Sequence, residues 1–313
     1  MLFNFFQNKG VAGETCSPAF REEKSKGRGK MQTRFREHIY YTGQYAEVEV
    51  FPVFPKTRAR KHKFQPSSEL QELINQNTAE RKCMRLIHAN FTGDDYCIGL
   101  SYSALFEPFH IGQVKKDIKN FLRRLKRRYF KLGVELKYIY SIEQASRFHI
   151  HLICNNGMTR DEIEKCWGMG YANADRLQFS EFGVMDLSNY VQKQRLTYRR
   201  WVSSRNLIQP VEREHYISAK TAREYAESWN VQSFIERNFP DYWLVLDDSE
   251  CILNTTNGFD YVRLFLCRKD AQLSFYSTSF AEFDDRVRRK IDSRDLRLPP
   301  DEEIWVQNSL FRQ

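Results

Sequence analysis

The sequence lacks most of the features that would place it quickly. Its seven cysteines, Cys16, Cys83, Cys97, Cys154, Cys166, Cys251 and Cys267, are odd in number, scattered, and form no C-x-x-C pair. Neither a disulfide framework nor a thiolate zinc centre is suggested, and most of them read as buried free thiols. No apolar run approaches the roughly 18 residues of a membrane span. The opening Met1-Leu2-Phe3-Asn4-Phe5-Phe6 turns polar too soon for a secretory leader, so a cytoplasmic protein with no membrane association is expected. There is no internal repeat and no low-complexity tract. No G-x-x-x-x-G-K-[ST] phosphate loop occurs either, so any helicase motor must come from a partner. What is present is a globular balance: 313 residues, 41% hydrophobic and 14% aromatic, which excludes a disordered chain.

Acidic residues are scarce in three places, and there the net charge of +9 is concentrated. Arg21, Lys24, Lys26, Arg28, Lys30, Arg34 and Arg36 face only Glu22 and Glu23. Lys56, Arg58, Arg60, Lys61 and Lys63 form a run with no acid at all. Between Lys115 and Lys131, nine cations including Arg123 and Arg127 face the single Asp117. One such run reads as a solvated surface. Three, with Tyr and Phe interleaved, favour a nucleic-acid partner, whose phosphates supply the counter-charge and whose unpaired bases stack on aromatic rings.

Periodicity then divides the chain. Residues 1–66 read as a basic arm with one extended stretch from Ala46 to Val53, interrupted by Pro52, Pro55 and Pro66. A helix is expected from Ser67, and the clearest helix spans 111–132, with Val114, Ile118, Phe121, Leu122, Leu125 and Tyr129 on one face and cations on the other. Strands are expected at Tyr96–Tyr102, Glu135–Glu143, Phe148–Cys154 and Tyr171–Phe179. A capping box at Thr159 and Glu162 opens a further helix, and Asn189–Lys193 falls on another. This alternation gives an α+β fold with a mostly antiparallel sheet. Residues 67–210 form the expected central domain and 211–313 a C-terminal extension or small accessory domain, with a helix from Thr221 and strands from Tyr242 and Cys251.

The chemistry concentrates on few residues. In the strand Phe148-His149-Ile150-His151-Leu152, alternation puts both histidines on one face and the apolar residues on the other. Two ordinary strand histidines look the same. Glu143, on the preceding strand and on the face opposite Tyr138, Tyr140 and Ile142, comes beside them if 144–147 closes a hairpin. Two imidazoles and a carboxylate suit Mg²⁺ or Mn²⁺ with phosphate oxygens, and equally a zinc ion. Tyr190 and Lys193 share a helical face, where an ammonium would favour the phenolate of a nucleophilic tyrosine. An amphipathic helix with Tyr190 in the core is the plainer account of the same pair.

Together, Glu143, His149-Ile150-His151 and Tyr190-x-x-Lys193, in this order, resemble the HUH endonuclease family, most of all its rolling-circle replication initiators. The family's first motif is similar to Ile98-Gly99-Leu100-Ser101-Tyr102. Ala89–Asp95 and Arg200–Leu207 are similar to phage-type replication proteins. The resemblance implies an HUH (ferredoxin/RRM-like) antiparallel sheet with helices on one face. It implies a divalent ion on Glu143, His149 and His151, and attack by Tyr190, assisted by Lys193, that leaves a 5′-phosphotyrosine and a free 3′-OH primer at an origin. A second tyrosine four residues on, found in some phage initiators, is replaced here by Gln194, so a single-tyrosine mechanism is expected. The partners implied are single-stranded or hairpin origin DNA and, in the cytoplasm of a bacterial host, a helicase and a DNA polymerase. Arg58, Arg60, Lys61 and Lys63 are expected on phosphates, Arg123 and Arg127 on flanking DNA, and Arg205 and Asn206 near the DNA. A relaxase or transposase of the same chemistry, or a non-catalytic single-strand-binding module, are the alternatives.

Overall fold

The computed structural model describes residues 34–54, 69–144, 146–184, 200–254 and 258–273. In chain order the elements are β1 (Arg34–Thr42), β2 (Tyr45–Val53), α1 (Glu69–Asn90), β3 (Tyr96–Ser101), α2 (Ile111–Lys131), β4 (Tyr138–Gln144) and β5 (Phe148–Cys154). These are followed by α3 (Arg160–Lys165), β6 (Ala172–Arg176), β7 (Phe179–Ser180), β8 (Gly183–Val184) and β9 (Val202–Ser203). Last come β10 (Val211–Ile217), α4 (Ala219–Ser228), α5 (Gln232–Asn238), β11 (Tyr242–Leu244), β12 (Glu250–Asn254) and β13 (Phe259–Arg268). The architecture is α+β with antiparallel sheets, and the chain forms two compact units.

One unit comprises residues 41–45 and 62–211, and the chain's last segment from 270 is grouped with it. Its sheet runs β6-β3-β5-β4-β9. Alternation on β3 and β5 sends Tyr96, Ile98, Leu100, Phe148, Ile150, Leu152 and Cys154 into one core. Helix α2 closes that core with Val114, Ile118, Phe121, Leu122, Leu125 and Tyr129, while its cations lie exposed on the opposite face. Each such large side chain contributes roughly 1.5–3 kcal/mol by leaving water. The helix stops where Gly133 adopts φ +74, a conformation costly for any residue with a Cβ. In α3 the Glu162 carboxylate accepts from both the N–H (3.1 Å) and the hydroxyl (2.8 Å) of Thr159, the expected capping box.

The sheet is covered on more than one side. Ile139 and Ile153, on the histidine face, are 1% and 0% exposed. Tyr138 and Tyr140, expected in the core, are only half-buried against it. The histidine face is thus open only toward the end that carries Glu143.

The other unit corrects the expected arm. Residues 34–40 and 46–61 group with 212–269 in a sheet ordered β10-β1-β2-β13-β11, with β12 paired to β13. Residues 34–53, expected as part of a basic arm, are therefore a hairpin, and two of its cations serve cross-strand contacts. Arg36 pairs with Glu214 at 2.9 Å, and Arg34 and Arg36 lie over the Tyr216 ring at 5.8 and 5.4 Å. His38 pairs with Glu212 at 3.2 Å, so the exposed strand β10 is held to β1 by charge rather than by burial. The hairpin turns at Gly43, with φ +66, where a Cβ would stand 2.6 Å from the His88 carbonyl oxygen.

Candidate functional site

The site is built on the β4–β5 hairpin. Its register sets Glu143 opposite His149 and Ser141 opposite His151, so all four side chains share one face. On the other flank of β5, Ser101 lies opposite His149 and Gly99 opposite His151. A Cβ on Gly99 would meet nothing within 4 Å, which leaves open space beside the His151 imidazole. Glu143 is exposed and both histidines are half-buried.

Within this group Glu143 Oε2 and His151 Nε2 are 3.2 Å apart, a diagonal contact across the hairpin. His149 forms no comparable contact. Among the described residues no three His, Cys, Asp or Glu side chains are gathered as a metal-holding group. The donor types and their common open face fit a divalent ion. As the side chains stand, the carboxylate and one imidazole are turned to each other instead.

Neighbouring loops are fixed to the same sheet. Asp95, at the end of the Ala89–Asp95 stretch, accepts from the Thr92 N–H and from the Asn156 N–H, both at 2.7 Å, so it joins the entry of β3 to the exit of β5. Tyr102, ending the first motif, donates to Asp117 at 3.3 Å, and burial followed by the Asp117 charge pushes its phenol well above the ordinary range. It is therefore a neutral structural tyrosine.

The other expected residues divide three ways. Tyr190, Lys193, Arg58, Arg60, Lys61 and Lys63 lie outside the described residues. Arg123, Arg127 and Arg205 are exposed, with Arg123 donating to Asn120 at 3.1 Å. Asn206 donates to the Leu136 carbonyl at 3.2 Å and so ties its loop to the approach of β4. Sequence reasoning passed over the aromatic residues exposed in loops flanking β3. Phe109 and Tyr171 are 104% and 77% exposed, and the Tyr171 carbonyl accepts from Ser101, opposite His149. The available signal was the run Leu105-Phe106-Glu107-Pro108-Phe109, too polar-broken for an element yet rich in apolar rings.

Residues 95–195 match the family of replication-associated protein ORF2. This is a family of rolling-circle replication initiators, and the match takes in β3, the β4–β5 hairpin with Glu143, His149 and His151, and the sequence of Tyr190 and Lys193. It covers about a third of the chain. No curated protein and no solved structure matches the chain. No helix among the described residues is long and apolar enough to cross a membrane.

Proposed function

We propose that the protein is an HUH-type initiator of rolling-circle replication, a metal-dependent nickase and strand transferase acting on single-stranded or hairpin origin DNA. The observation that carries the reading is the common open face of Glu143, His149 and His151 inside the segment similar to the ORF2 replication-associated family. A non-catalytic single-strand binder is the reading left if these side chains fail to take up an ion.

In this reading Glu143, His149 and His151 hold Mg²⁺ or Mn²⁺, which when bound neutralises charge on the scissile phosphate. The Glu143–His151 contact opens as the two groups turn to the ion. Tyr190, whose phenol would ordinarily titrate near pH 10, attacks phosphorus in line. A Tyr Oη–P bond forms, the P–O3′ bond breaks, and the tyrosine proton leaves to the solvent or the departing oxygen. The products are a 5′-phosphotyrosine and a 3′-OH primer. Lys193, one helical turn from Tyr190, favours the phenolate and screens the developing charge. Arg58, Arg60, Lys61 and Lys63 contact phosphates, Arg205 and Asn206 lie near the DNA, and a host helicase and polymerase extend the primer.

The test is incubation of the full chain with single-stranded DNA of the encoding element and Mn²⁺, followed by gel shift under denaturing conditions and mass spectrometry of the adduct. The expected adduct maps to Tyr190 and disappears in Tyr190→Phe and in His149→Ala/His151→Ala. A covalent adduct that persists in Tyr190→Phe refutes the assignment.

A further inference from the structure

At the outer edge of β4 lies a cleft of about 410 Å³, bordered among the described residues by Lys115 and Lys119 of α2, Tyr138, Tyr140 and Ser141 of β4, and Trp201. Its size is that of a small-molecule site. Three features give it a chemical character.

The first is charge without a counter-charge. Among the described residues neither Lys115 nor Lys119 makes a hydrogen bond or ion pair, and both are exposed. They stand one turn apart on α2, where two like charges destabilise each other unless an anion shares them. The neighbouring Arg200 is not available in the same way, since it is buried and pairs with Glu72 at 2.5 Å.

The second is aromatic surface already held in place. The Trp201 indole donates to the Ala79 carbonyl at 2.9 Å, which fixes its ring, and Tyr138 and Tyr140 lie nearly parallel with centroids 6.2 Å apart. Burial holds both phenols above their ordinary range, so these rings stay neutral.

The third is exposed backbone. β9 pairs with β4 only at Ile139 and Tyr140. From Ser141 onward, the outer edge of β4 has no strand partner among the described residues, and its N–H and C=O groups can meet a base edge. Cations, fixed rings and a free strand edge together match a nucleotide.

We infer that this cleft takes an unstacked base of the bound single-stranded DNA, with the adjoining phosphates on Lys115 and Lys119. The inference rests on the reading of the protein as one that handles single-stranded DNA, and it assigns a place that the nicking chemistry does not use. A strand, rather than a free nucleotide, is the occupant because the charge continues beyond the cleft. Lys115, Lys119, Arg123 and Arg127 recur every four residues along α2 and are all exposed, a stripe of roughly 18 Å that one nucleotide would leave largely unmatched. The cleft also adjoins the histidine face, since Ser141 borders it and lies opposite His151 in the β4–β5 register. A strand lodged here thus reaches the hairpin over the width of one β-strand, about 5 Å.

The test is fluorescence anisotropy of the full chain with labelled single-stranded oligonucleotides from the encoding element, without divalent ions so that cleavage does not contribute. Lys115→Gln/Lys119→Gln changes only exposed side chains. It is expected to weaken binding about tenfold and to flatten the log–log salt dependence by about 1.4, at ~0.7 per lost single-strand phosphate contact. Tyr140→Leu keeps the apolar packing and should lose on the order of tenfold in affinity. An oligonucleotide with one base removed at the lodged position should bind the wild type less well and Tyr140→Leu no worse. Unchanged affinity and salt slope in the double variant, while the wild type binds and forms its Tyr190 adduct, overturns the cleft and leaves the nicking reading standing. Displacement of the oligonucleotide by an equal concentration of deoxynucleoside monophosphate overturns the strand as occupant. Binding that depends on the cleft, in a protein that forms no adduct with Mn²⁺, supports the cleft and refutes the nickase.

Discussion

Acid should loosen the histidine-bearing unit through His88. This side chain is buried on α1, its Nε2 accepts from the Val184 N–H at 3.0 Å, and its ring lies 4.3 Å from that of Tyr45. Desolvation lowers its pKa to about 3. In the unfolded chain it titrates near 6.5, so over the interval between these values the unfolded state binds the extra proton. A group depressed on folding adds stability above its unfolded pKa and loses it as pH falls toward the folded one. Moving from about pH 7.5 to about pH 5 should therefore cost about 2 kcal/mol, a figure insensitive to the folded value as long as that stays below about 4. Protonation would also turn Nε2 from acceptor to donor and break its bond to β8, the last described strand before Tyr190. Urea denaturation at both pH values, in wild type and in His88→Gln, measures the term, since glutamine keeps an acceptor and does not titrate. Equal losses in the two proteins would refute the reasoning.

Other outcomes follow from contacts of single residues. Gly157→Ala places a Cβ 2.5 Å from Tyr129 Cε1, in a ring held by its hydroxyl on the Asn155 carbonyl at 2.6 Å, and should lower stability by about 1–3 kcal/mol in chemical denaturation. Leu125→Ala empties a fully buried position on α2 and should cost about 2–5 kcal/mol in the same assay. Gly99→Ala, which meets nothing within 4 Å, should leave stability within about 0.5 kcal/mol of wild type. Gly99→Leu fills the space beside His151 instead, and should cut the covalent adduct yield by on the order of tenfold while leaving the melting temperature in place.

The parts of this fold that were legible are those in which one local rule is repeated without conflict. Seven residues from Phe148 to Cys154 alternate cleanly, and α2 keeps a clean apolar stripe over five turns, so each declares its period. The pairing of β1 and β2 with strands beyond residue 211 joins segments more than 150 positions apart, and no local pattern records such a contact. The cationic composition of Arg34 and Arg36 suggested a DNA-binding arm because ring and carboxylate partners at Tyr216 and Glu214 are invisible in sequence. At the site, alternation predicts which residues share a face. It does not predict rotamers, and these decide that Glu143 reaches diagonally to His151. Burial of Ile139 and Ile153 on the histidine face was missed because alternation marks two faces and says nothing of what covers the second. The cleft beside β4 depends on β9 ending after two residues, a length that Trp201-Val202-Ser203-Ser204 does not announce.

The interleaving of the two units bears on the order in which the chain is made. Residues 62–211 are contiguous and emerge from the ribosome together, so the sheet with its histidines can close while the rest is still being synthesised. The β1–β2 hairpin emerges first yet waits for β10 and β13, some 160 residues later, before its sheet edges are filled. During that interval an exposed strand edge is available to any passing chain. Premature termination near residue 211 would thus leave a product whose replication-related unit is whole and whose leading hairpin is permanently adhesive.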